Sequence, residues 1–210
     1  MTFPDAGRAY PVTLPDGSPH KGTVFLSRVI DHPGWEVGDY SYASDFGTVA
    51  DWASHLAPYL FGYGPEKLRI GRYCQIAHGA RFLTSGANHA TDGLTTFPFP
   101  IFDPAKMSTF QPDTRDTVIG HDVWVGFGAM ICPGARIGNG VIVGAGAVVR
   151  GAVPDFAIVM GNPAQVVKMR FSETEIDTLN ALAWWDWPAD RVEAAVPALL
   201  AGDVDALRAC

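Results

Sequence analysis

Aliphatic residues recur at every sixth position through the second half of the chain. They are Ile119, Val125, Ile131, Ile137, Val143 and Val149, and a small or β-branched residue stands four positions after each: Val123, Ala129, Ala135, Val141, Ala147 and Val153. A period of six fits neither an α-helix nor an alternating strand. It predicts a triangular parallel β-helix, in which each hexapeptide supplies one short strand and the aliphatic side chain points inward. A sandwich of short strands is the alternative, but its irregular loops would destroy so regular a register.

A second, shorter copy of the repeat runs through Ile70 and Ile76 to Phe82. Its phase differs from that of the later run, because Ile70 and Ile119 are one residue more than a multiple of six apart. The intervening segment, about residues 84–116, must therefore leave the prism as an excursion loop. A loop of this length within a compact domain is usually functional or disordered, and its aromatic and aliphatic residues argue against disorder. We expect it to cover a site or to pack on a neighbouring subunit.

The repeat ends after residues 161–164, and a helical pattern follows. Ser172 and Glu175 have the spacing of a capping box, which predicts a helix from this point to about Ala183. A second helix is expected from about Ala189 to Leu200, with the tryptophans between the two anchoring the tail to the prism.

These patterns predict a mainly β fold with C-terminal α-helices, organised as a single domain over residues 1–210. Within it we expect an irregular N-terminal segment over residues 1–35, the β-helix over residues 36–165 and a helical tail over residues 166–210.

Composition narrows the possible functions. The formal charge of −7 disfavours a nucleic-acid-binding protein, since the phosphate backbone attracts a basic surface. The longest apolar stretch, residues 141–149, is too short and too rich in glycine to span a membrane. The chain opens without the apolar core of a signal peptide. Its three cysteines are few and odd in number, which suggests reduced thiols and a cytoplasmic location.

One histidine stands where the first copy of the repeat breaks down. Counting by six from Ile76 reaches Phe82 and then Asn88, a polar amide at an inward position. We expect His89, the next residue, to point outward at the root of the loop. A neutral imidazole is suited to general-base catalysis on a hydroxyl. The alternative interpretation is a solvated loop histidine.

Other side chains offer weaker candidates. Trp124 is unusually large for the last position of a hexapeptide, so it either packs on a neighbouring subunit or forms a wall that positions substrate. Lys168 and Arg170, near the end of the repeats, either meet the phosphates of a cofactor or are simply solvated. A zinc site would need two histidines close in sequence, and the nearest pair, His78 and His89, is eleven residues apart. We therefore predict no metal.

Five stretches of the chain resemble the xenobiotic acetyltransferases of the hexapeptide class, which include the streptogramin A and type B chloramphenicol acetyltransferases. These stretches are residues 38–42, 86–89, 121–126, 161–164 and 184–188. The resemblance extends from about Tyr10 to Pro188. Its most specific parts are the Asn88-His89 element and the tryptophan-rich tail.

The resemblance implies a left-handed β-helix, a homotrimer with active sites between subunits, acetyl-CoA as donor and a hydroxyl-bearing small molecule as acceptor, such as chloramphenicol or streptogramin A. His89 matches the catalytic histidine of the family. The residues expected to line the substrate pocket are Tyr40, Tyr42, Asn88 and Trp124. Those expected to contact the cofactor are Ala145, Gly161, Asn162, Pro163, Lys168 and Arg170.

The acceptor is the least determined part of this prediction. The loop after Phe102 is shorter than in the drug-modifying relatives, and the stretch that follows Tyr42 also differs. Acetylation of a sugar or another metabolite is therefore an alternative. A non-catalytic trimeric scaffold or binding module is a further one.

Overall fold

The computed structural model describes residues 3–110 and 112–210, and a three-sided prism of short strands forms its centre. Met1 and Thr2 of the predicted N-terminal segment and Gln111 of the predicted loop lie outside the described residues. In chain order the strands are β1 (Thr23–Phe25), β2 (Trp35–Val37), β3 (Tyr42–Ser44), β4 (Leu68–Ile70), β5 (Gln75–Ile76), β6 (Arg81–Phe82), β7 (Thr117–Ile119), β8 (Trp124–Val125), β9 (Met130–Ile131), β10 (Arg136–Ile137), β11 (Ile142–Val143), β12 (Val148–Val149), β13 (Ala152–Val153), β14 (Ala157–Gly161) and β15 (Ala164–Met169).

Each face of the prism is one sheet. The five-stranded face has the order β13-β10-β7-β4-β2, the three-stranded face β12-β9-β6, and the seven-stranded face β1-β3-β5-β8-β11-β14-β15. Neighbouring strands are parallel except at the two ends of the seven-stranded face, where β1 pairs with β3 and β15 with β14 in antiparallel fashion. This architecture confirms the predicted mainly β fold, a parallel β-helix of hexapeptide repeats.

The interior of the prism is filled by the periodic aliphatic residues. The six that begin at Ile119 are at most 3% exposed, and the small residues four positions after each are at most 8% exposed. Fully burying a Val or Ile side chain contributes roughly 1.5–3 kcal/mol. The repeat therefore stabilises the prism along its whole length, and no single coil carries the core.

Three corners join the faces, and they differ in character. The corner between the five- and seven-stranded faces, here called the Tyr73 corner, places Tyr40, Tyr73, Asp122, Gly140 and Phe156 at equivalent turns. All five have φ between 54° and 65°. The corner between the seven- and three-stranded faces is called the Phe127 corner. The third, between the three- and five-stranded faces, is called the loop corner.

The excursion loop leaves the prism at the loop corner, after β6, and returns as β7. Three short 3-10 helices lie within it, at Ser85–Ala87, Phe99–Phe102 and Met107–Thr109. On its return β7 pairs in register with β4, with Leu68 opposite Thr117 and Ile70 opposite Ile119. The loop thus absorbs the one-residue change of phase, as predicted from the two copies of the repeat.

The N-terminal segment is more ordered than its sequence predicts. The sequence predicts an irregular segment over residues 1–35, yet β1 and the four-residue helix α1 (Leu26–Val29) lie within it. All three residues of β1 are buried, and the strand covers the edge of β3. Three residues are too few for a periodic signal, so only the pairing with β3 defines this strand. A second short helix, α2 (Trp52–Leu56), follows β3.

The tail begins later than residue 166. The β14–β15 hairpin extends the seven-stranded face to Met169, because the turn at Asn162-Pro163 reverses the chain and lets β15 pair with β14. Helices α3 (Glu173–Leu182), α4 (Ala189–Ala201) and α5 (Val204–Ala209) follow, and only the last was not predicted. Ser172 and Glu175 form the expected capping box.

The tryptophans attach the tail to the Tyr73 corner. The ring of Trp184 lies 4.9 Å from that of Tyr73, and Trp185 stacks on His121 at 5.3 Å. Together with Trp187 they form a second core that α3, α4 and α5 share. Among the helices of residues 3–110 and 112–210, none is long and apolar enough to cross a membrane.

Candidate functional site

A row of outward-facing side chains crosses the seven-stranded face. Tyr42, Gln75, Trp124, Ile142 and Ile158 occupy directly paired positions on β3, β5, β8, β11 and β14. We call these five residues the ladder. Trp124 stands at its centre and is 50% exposed. The ladder therefore brings two of the predicted substrate residues, Tyr42 and Trp124, onto one surface, with Gln75 between them.

A cavity of about 560 Å³ lies at one end of the ladder. Tyr40 and Tyr42 both line it, together with Tyr73 and Gln75. The rings of Tyr40 and Tyr73 stack 4.7 Å apart and almost parallel, which fixes the orientation of Tyr40. Burial raises the pKa of Tyr42, so its phenol keeps its proton and can donate a hydrogen bond at neutral pH. The two tyrosines predicted to line an acceptor pocket therefore share one cavity.

The predicted cofactor residue Ala145 lies at the Phe127 corner. Phe127 precedes it by one coil, and the N–H of Gly146 donates to the carbonyl oxygen of Phe127 over 2.8 Å. Ala145 is exposed between Gly144 and Gly146, whose lack of side chains keeps the corner shallow. This corner can accommodate an extended, flexible chain laid along the prism.

The hairpin turn continues the same edge. The N–H of Gly144 donates to the carbonyl oxygen of Val159, so Ala145 lies near the level of Gly161. Gly161, Asn162 and Pro163 are all exposed. On β15, Lys168 is exposed opposite Ile158, the last residue of the ladder. The predicted cofactor residues Ala145, Gly161, Asn162, Pro163 and Lys168 therefore lie around the same end of the seven-stranded face.

Arg170, also predicted to contact cofactor phosphates, lies apart from these residues. Its guanidinium donates to the carbonyl oxygen of Gly140 at 2.5 Å and lies 3.6 Å from Asp122. The rings of Phe156 and Phe171 flank it, at 5.8 and 5.2 Å. These contacts hold Arg170 at the Tyr73 corner, where it joins the tail to the prism.

His89 is exposed in the excursion loop, and its orientation is fixed. Nδ1 lies 2.8 Å from the carbonyl oxygen of Thr96, and the ring meets Phe110 edge-on at 6.2 Å. A carbonyl oxygen only accepts, so Nδ1 must carry the hydrogen and Nε2 the free lone pair. Beside it, the side-chain amide of Asn88 donates to the carbonyl oxygen of Asp113, which fixes the root of the loop. The arrangement presents Nε2 as a base.

One chain does not bring these parts together. His89 follows β6 at the loop corner, whereas Tyr42 and Trp124 lie on the seven-stranded face. The hydrogen bond and ring contact of His89 noted above are to residues of its own loop. Asn88, too, bonds within the loop and not to the ladder. A base and a binding surface are both present, but on different sides of the prism.

A buried carboxylate at the Phe127 corner is not predicted from the sequence. Oδ2 of Asp45 lies 2.8 Å from Nε2 of His55 and 2.9 Å from Nδ1 of His78. Burial raises the pKa of Asp45, but hydrogen bonds from Gly47 and His55 and the charge of His78 outweigh this and hold it below the usual range. In the described part of the chain, no three His, Cys, Asp or Glu residues are arranged to hold a metal ion.

Gln75 is a site residue that the sequence could have revealed. It occupies the last position of its hexapeptide, directly before Ile76, as Trp124 does before Val125. Residues at the same repeat position in neighbouring turns of the β-helix lie side by side, so the prediction of Trp124 as a site residue also points to Gln75. The Asp45 cluster had no such signal, because its three members come from separate segments.

Comparisons with known proteins find relatives of similar sequence and a solved structure that resembles part of the chain. Residues 116–151 match the family described as bacterial transferase hexapeptide (six repeats). A chloramphenicol acetyltransferase of Agrobacterium fabrum is 38% identical over 90% of this chain and 93% of that protein. A virginiamycin A acetyltransferase of Staphylococcus aureus is 34% identical over 90% of this chain and 87% of that protein. A solved hexapeptide-repeat acetyltransferase of Vibrio cholerae, complexed with acetyl coenzyme A, shares 22% identity over 66% of this chain and 62% of that chain, with a TM-score of 0.45.

Proposed function

Because this chain belongs to the hexapeptide-repeat xenobiotic acetyltransferase family, we propose that His89 is the general base in the transfer of an acetyl group from acetyl-CoA to a hydroxyl of a small molecule. The enzyme is an acetyl-CoA-dependent acyltransferase. Its acceptor is an antibiotic such as chloramphenicol or a streptogramin. The observation that carries the proposal is the hydrogen bond from Nδ1 of His89 to Thr96, since it leaves Nε2 free to take a proton.

His89 moves a proton from the acceptor to the leaving group. Nε2 accepts the hydroxyl proton as the acceptor oxygen forms its bond to the thioester carbonyl carbon. The carbon–sulfur bond of the thioester then breaks, and Nε2 passes the same proton to the departing sulfur of coenzyme A, so the histidine ends the cycle neutral. A positioned base of this kind contributes roughly a hundredfold to ten-thousandfold in rate. No side-chain nucleophile is required, because the acceptor provides its own oxygen.

The shallow edge at Ala145 supports the donor site. Acetyl-CoA supplies the activated carbonyl group at the end of a long, thin arm. Ala145 and the turn at residues 161–163 leave room for such an arm, and Lys168 offers a positive charge beyond it. Trp124 stands on the ladder next to this edge, and Tyr40 and Tyr42 line the cavity at the other end. We assign Ala145, the turn at residues 161–163 and Lys168 to the donor site. We assign the cavity lined by Tyr40 and Tyr42 to the acceptor, with Trp124 between the two.

We further propose a homotrimer in which the loop of one subunit faces the ladder of the next. The separation of His89 from Trp124 within one chain supports this arrangement, since a second copy can bring its loop against the ladder. A cytoplasmic location is supported by the three cysteines, which are all unpaired.

Subunit mixing tests the shared site. Trimers assembled from equal amounts of the His89→Ala and Trp124→Ala chains, assayed at substrate concentrations far below KM, should reach about a quarter of wild-type activity, because about a quarter of the interfaces combine two intact residues. A site within one chain would give only the small residual activity of the Trp124→Ala chains. The oligomeric state of the mixture is measured in parallel by analytical ultracentrifugation.

An acceptor panel tests the reaction itself. Purified enzyme is supplied with acetyl-CoA and, in turn, chloramphenicol, a streptogramin A and simple sugars, and thiol release is followed. Turnover of an antibiotic supports the proposal. Preference for a sugar would assign the enzyme to metabolite acetylation, and release with none of them would contradict the assigned acceptor class.

A further inference from the structure

A second cavity lies beside His89, outside the ladder and the donor edge. It has a volume of about 680 Å³ and is lined by the rings of Phe61, Tyr63 and Phe110 and by the carboxyl-bearing residues Glu66 and Asp113. Phe110 also meets the ring of His89 edge-on at 6.2 Å. The cavity and the candidate base thus share one aromatic wall.

Glu66 is an unusual residue in this cavity. It is only 7% exposed, and its Oε2 atom is fully buried without a hydrogen-bond partner. A Cβ atom at residue 64 would collide with this oxygen, so glycine at that position leaves room for the carboxylate. Burying a charged oxygen without a partner is costly, and native proteins seldom do so without reason.

The cations around Glu66 are engaged elsewhere. Nζ of Lys67 donates to the carbonyl oxygen of Pro33 at 2.6 Å. Arg115 pairs with Asp113 at 2.7 Å. Within residues 3–110 and 112–210 no ion pair reaches Glu66, so the carboxylate is left for a group from outside the chain.

We infer that this cavity binds a protonated amine carried on an apolar or aromatic body. Glu66 provides the counter-charge, because Asp113 at the cavity wall is already paired with Arg115. The stacked rings of Phe61 and Tyr63, 5.5 Å apart, provide π-faces that attract a cation and cover its hydrocarbon part. An anion would be repelled by the Glu66 carboxylate, and a neutral ligand would leave Glu66 without a charge partner.

The amine can come from the acceptor or from a separate molecule. The shared wall with His89 favours the acceptor, and this part of the inference rests on the proposed function. An acceptor with an ammonium group in the cavity would hold a hydroxyl elsewhere on its skeleton near the base. Amino alcohols with a rigid spacer are therefore a second acceptor class that this cavity would admit, alongside antibiotics that carry no amine.

Titration calorimetry tests the cation site without any acetyl transfer. It compares the binding of benzylamine with that of its neutral analogue, benzyl alcohol. Wild type should bind benzylamine about tenfold or more tightly than benzyl alcohol. Glu66→Gln should abolish the preference, and Glu36→Gln, an exposed carboxylate on the five-stranded face, should keep it. Equal binding of the two probes by wild type, or a preference unchanged in Glu66→Gln, would overturn the inference.

Stability gives a second readout. Without ligand, Glu66→Gln should melt at the same temperature as wild type or higher, because it removes an unpaired buried charge. Benzylamine should raise the melting temperature of wild type only. If Glu66→Gln melts lower and wild type does not respond to benzylamine, Glu66 is merely structural and the inference fails.

Kinetics distinguish the two sources of the amine. For 4-(aminomethyl)benzyl alcohol the KM should rise about tenfold in Glu66→Gln, whereas the KM for 1,4-benzenedimethanol should not change. Benzylamine binding without that change in KM assigns the amine to a separate molecule and still supports the cation site. Absence of acetyl transfer to every acceptor would contradict the proposed function and leave the binding result standing.

Discussion

Nδ1 of His89 donates a hydrogen bond to the carbonyl oxygen of Thr96 over 2.8 Å, which leaves Nε2 as the only basic atom of the ring. The partner is seven residues away in the same loop, so the tautomer is set by loop geometry alone.

His89→Ala should therefore lower kcat by about a hundredfold to ten-thousandfold, since it removes the proton acceptor. His89 is exposed, so the fold should not change. The measurement is initial-rate kinetics with thiol release, with circular dichroism as a check on folding. Asp92→Ala, an exposed change in the same loop, is the control and should stay near wild type. A His89→Ala enzyme as fast as the control would contradict the mechanism.

Trp124→Ala tests the ladder. Half of this side chain is exposed, so its removal should cost little stability but raise KM for the acceptor or the donor about tenfold or more. The matched control is Arg136→Ala, which occupies the same outward repeat position on the five-stranded face. If both variants show the same kinetics, the seven-stranded face has no special role in binding.

The variants Gly140→Ala and Gly146→Ala separate two contributions to the loss of stability at the corners, backbone strain and steric overlap. Both glycines have positive φ, 64° and 66°, and each substitution should cost about 1–2 kcal/mol from backbone strain. Only at Gly140 would the new Cβ also overlap the ring of Phe156, because Gly146 faces open space. Overpacking adds roughly 1–3 kcal/mol, so Gly140→Ala should melt several degrees lower. Thermal unfolding monitored by circular dichroism gives both values, and equal melting temperatures would contradict the contact.

Asp45→Asn tests the buried carboxylate. The pKa of Asp45 is lowered in the folded protein, so its ionised form contributes stability above the unfolded pKa, and this contribution is lost as pH falls through the folded value. At neutral pH the variant should lose about 1–3 kcal/mol of unfolding free energy.

The difference in unfolding free energy between Asp45→Asn and wild type should shrink as the pH falls below about 4. Urea unfolding at several pH values measures it. Asp103→Asn, which removes an exposed ion pair with Lys106, should change stability by less than about 1 kcal/mol at every pH. A constant difference for Asp45→Asn across this range would mean that its ionisation is not coupled to folding.

The sequence predicts those parts of the fold that repeat. Each aliphatic residue from Ile119 onward occupies an equivalent inward position, so one rule applied six times is reliable. The capping box at Ser172 is equally local. The excursion loop follows from a change of phase between Ile70 and Ile119, which is an arithmetic property of the chain.

The remainder depends on contacts between distant segments. Arg170 could not be assigned to the Tyr73 corner without knowing that Gly140 and Asp122 meet it there. β1 forms because it pairs with β3, although α1 and β2 lie between the two strands in the sequence. The sequence singled out His89, yet the contact with Thr96 that orients its ring depends on the conformation of the loop.

The in-register pairing of β7 with β4 has an evolutionary consequence. Because the prism closes beneath the loop whatever the loop contains, insertions and deletions between residues 84 and 116 leave the strands on both sides untouched. Doubling the length of such a connection costs only about 0.6 kcal/mol of closure entropy. Related chains can therefore vary in the length and content of this loop around His89 while keeping the same prism.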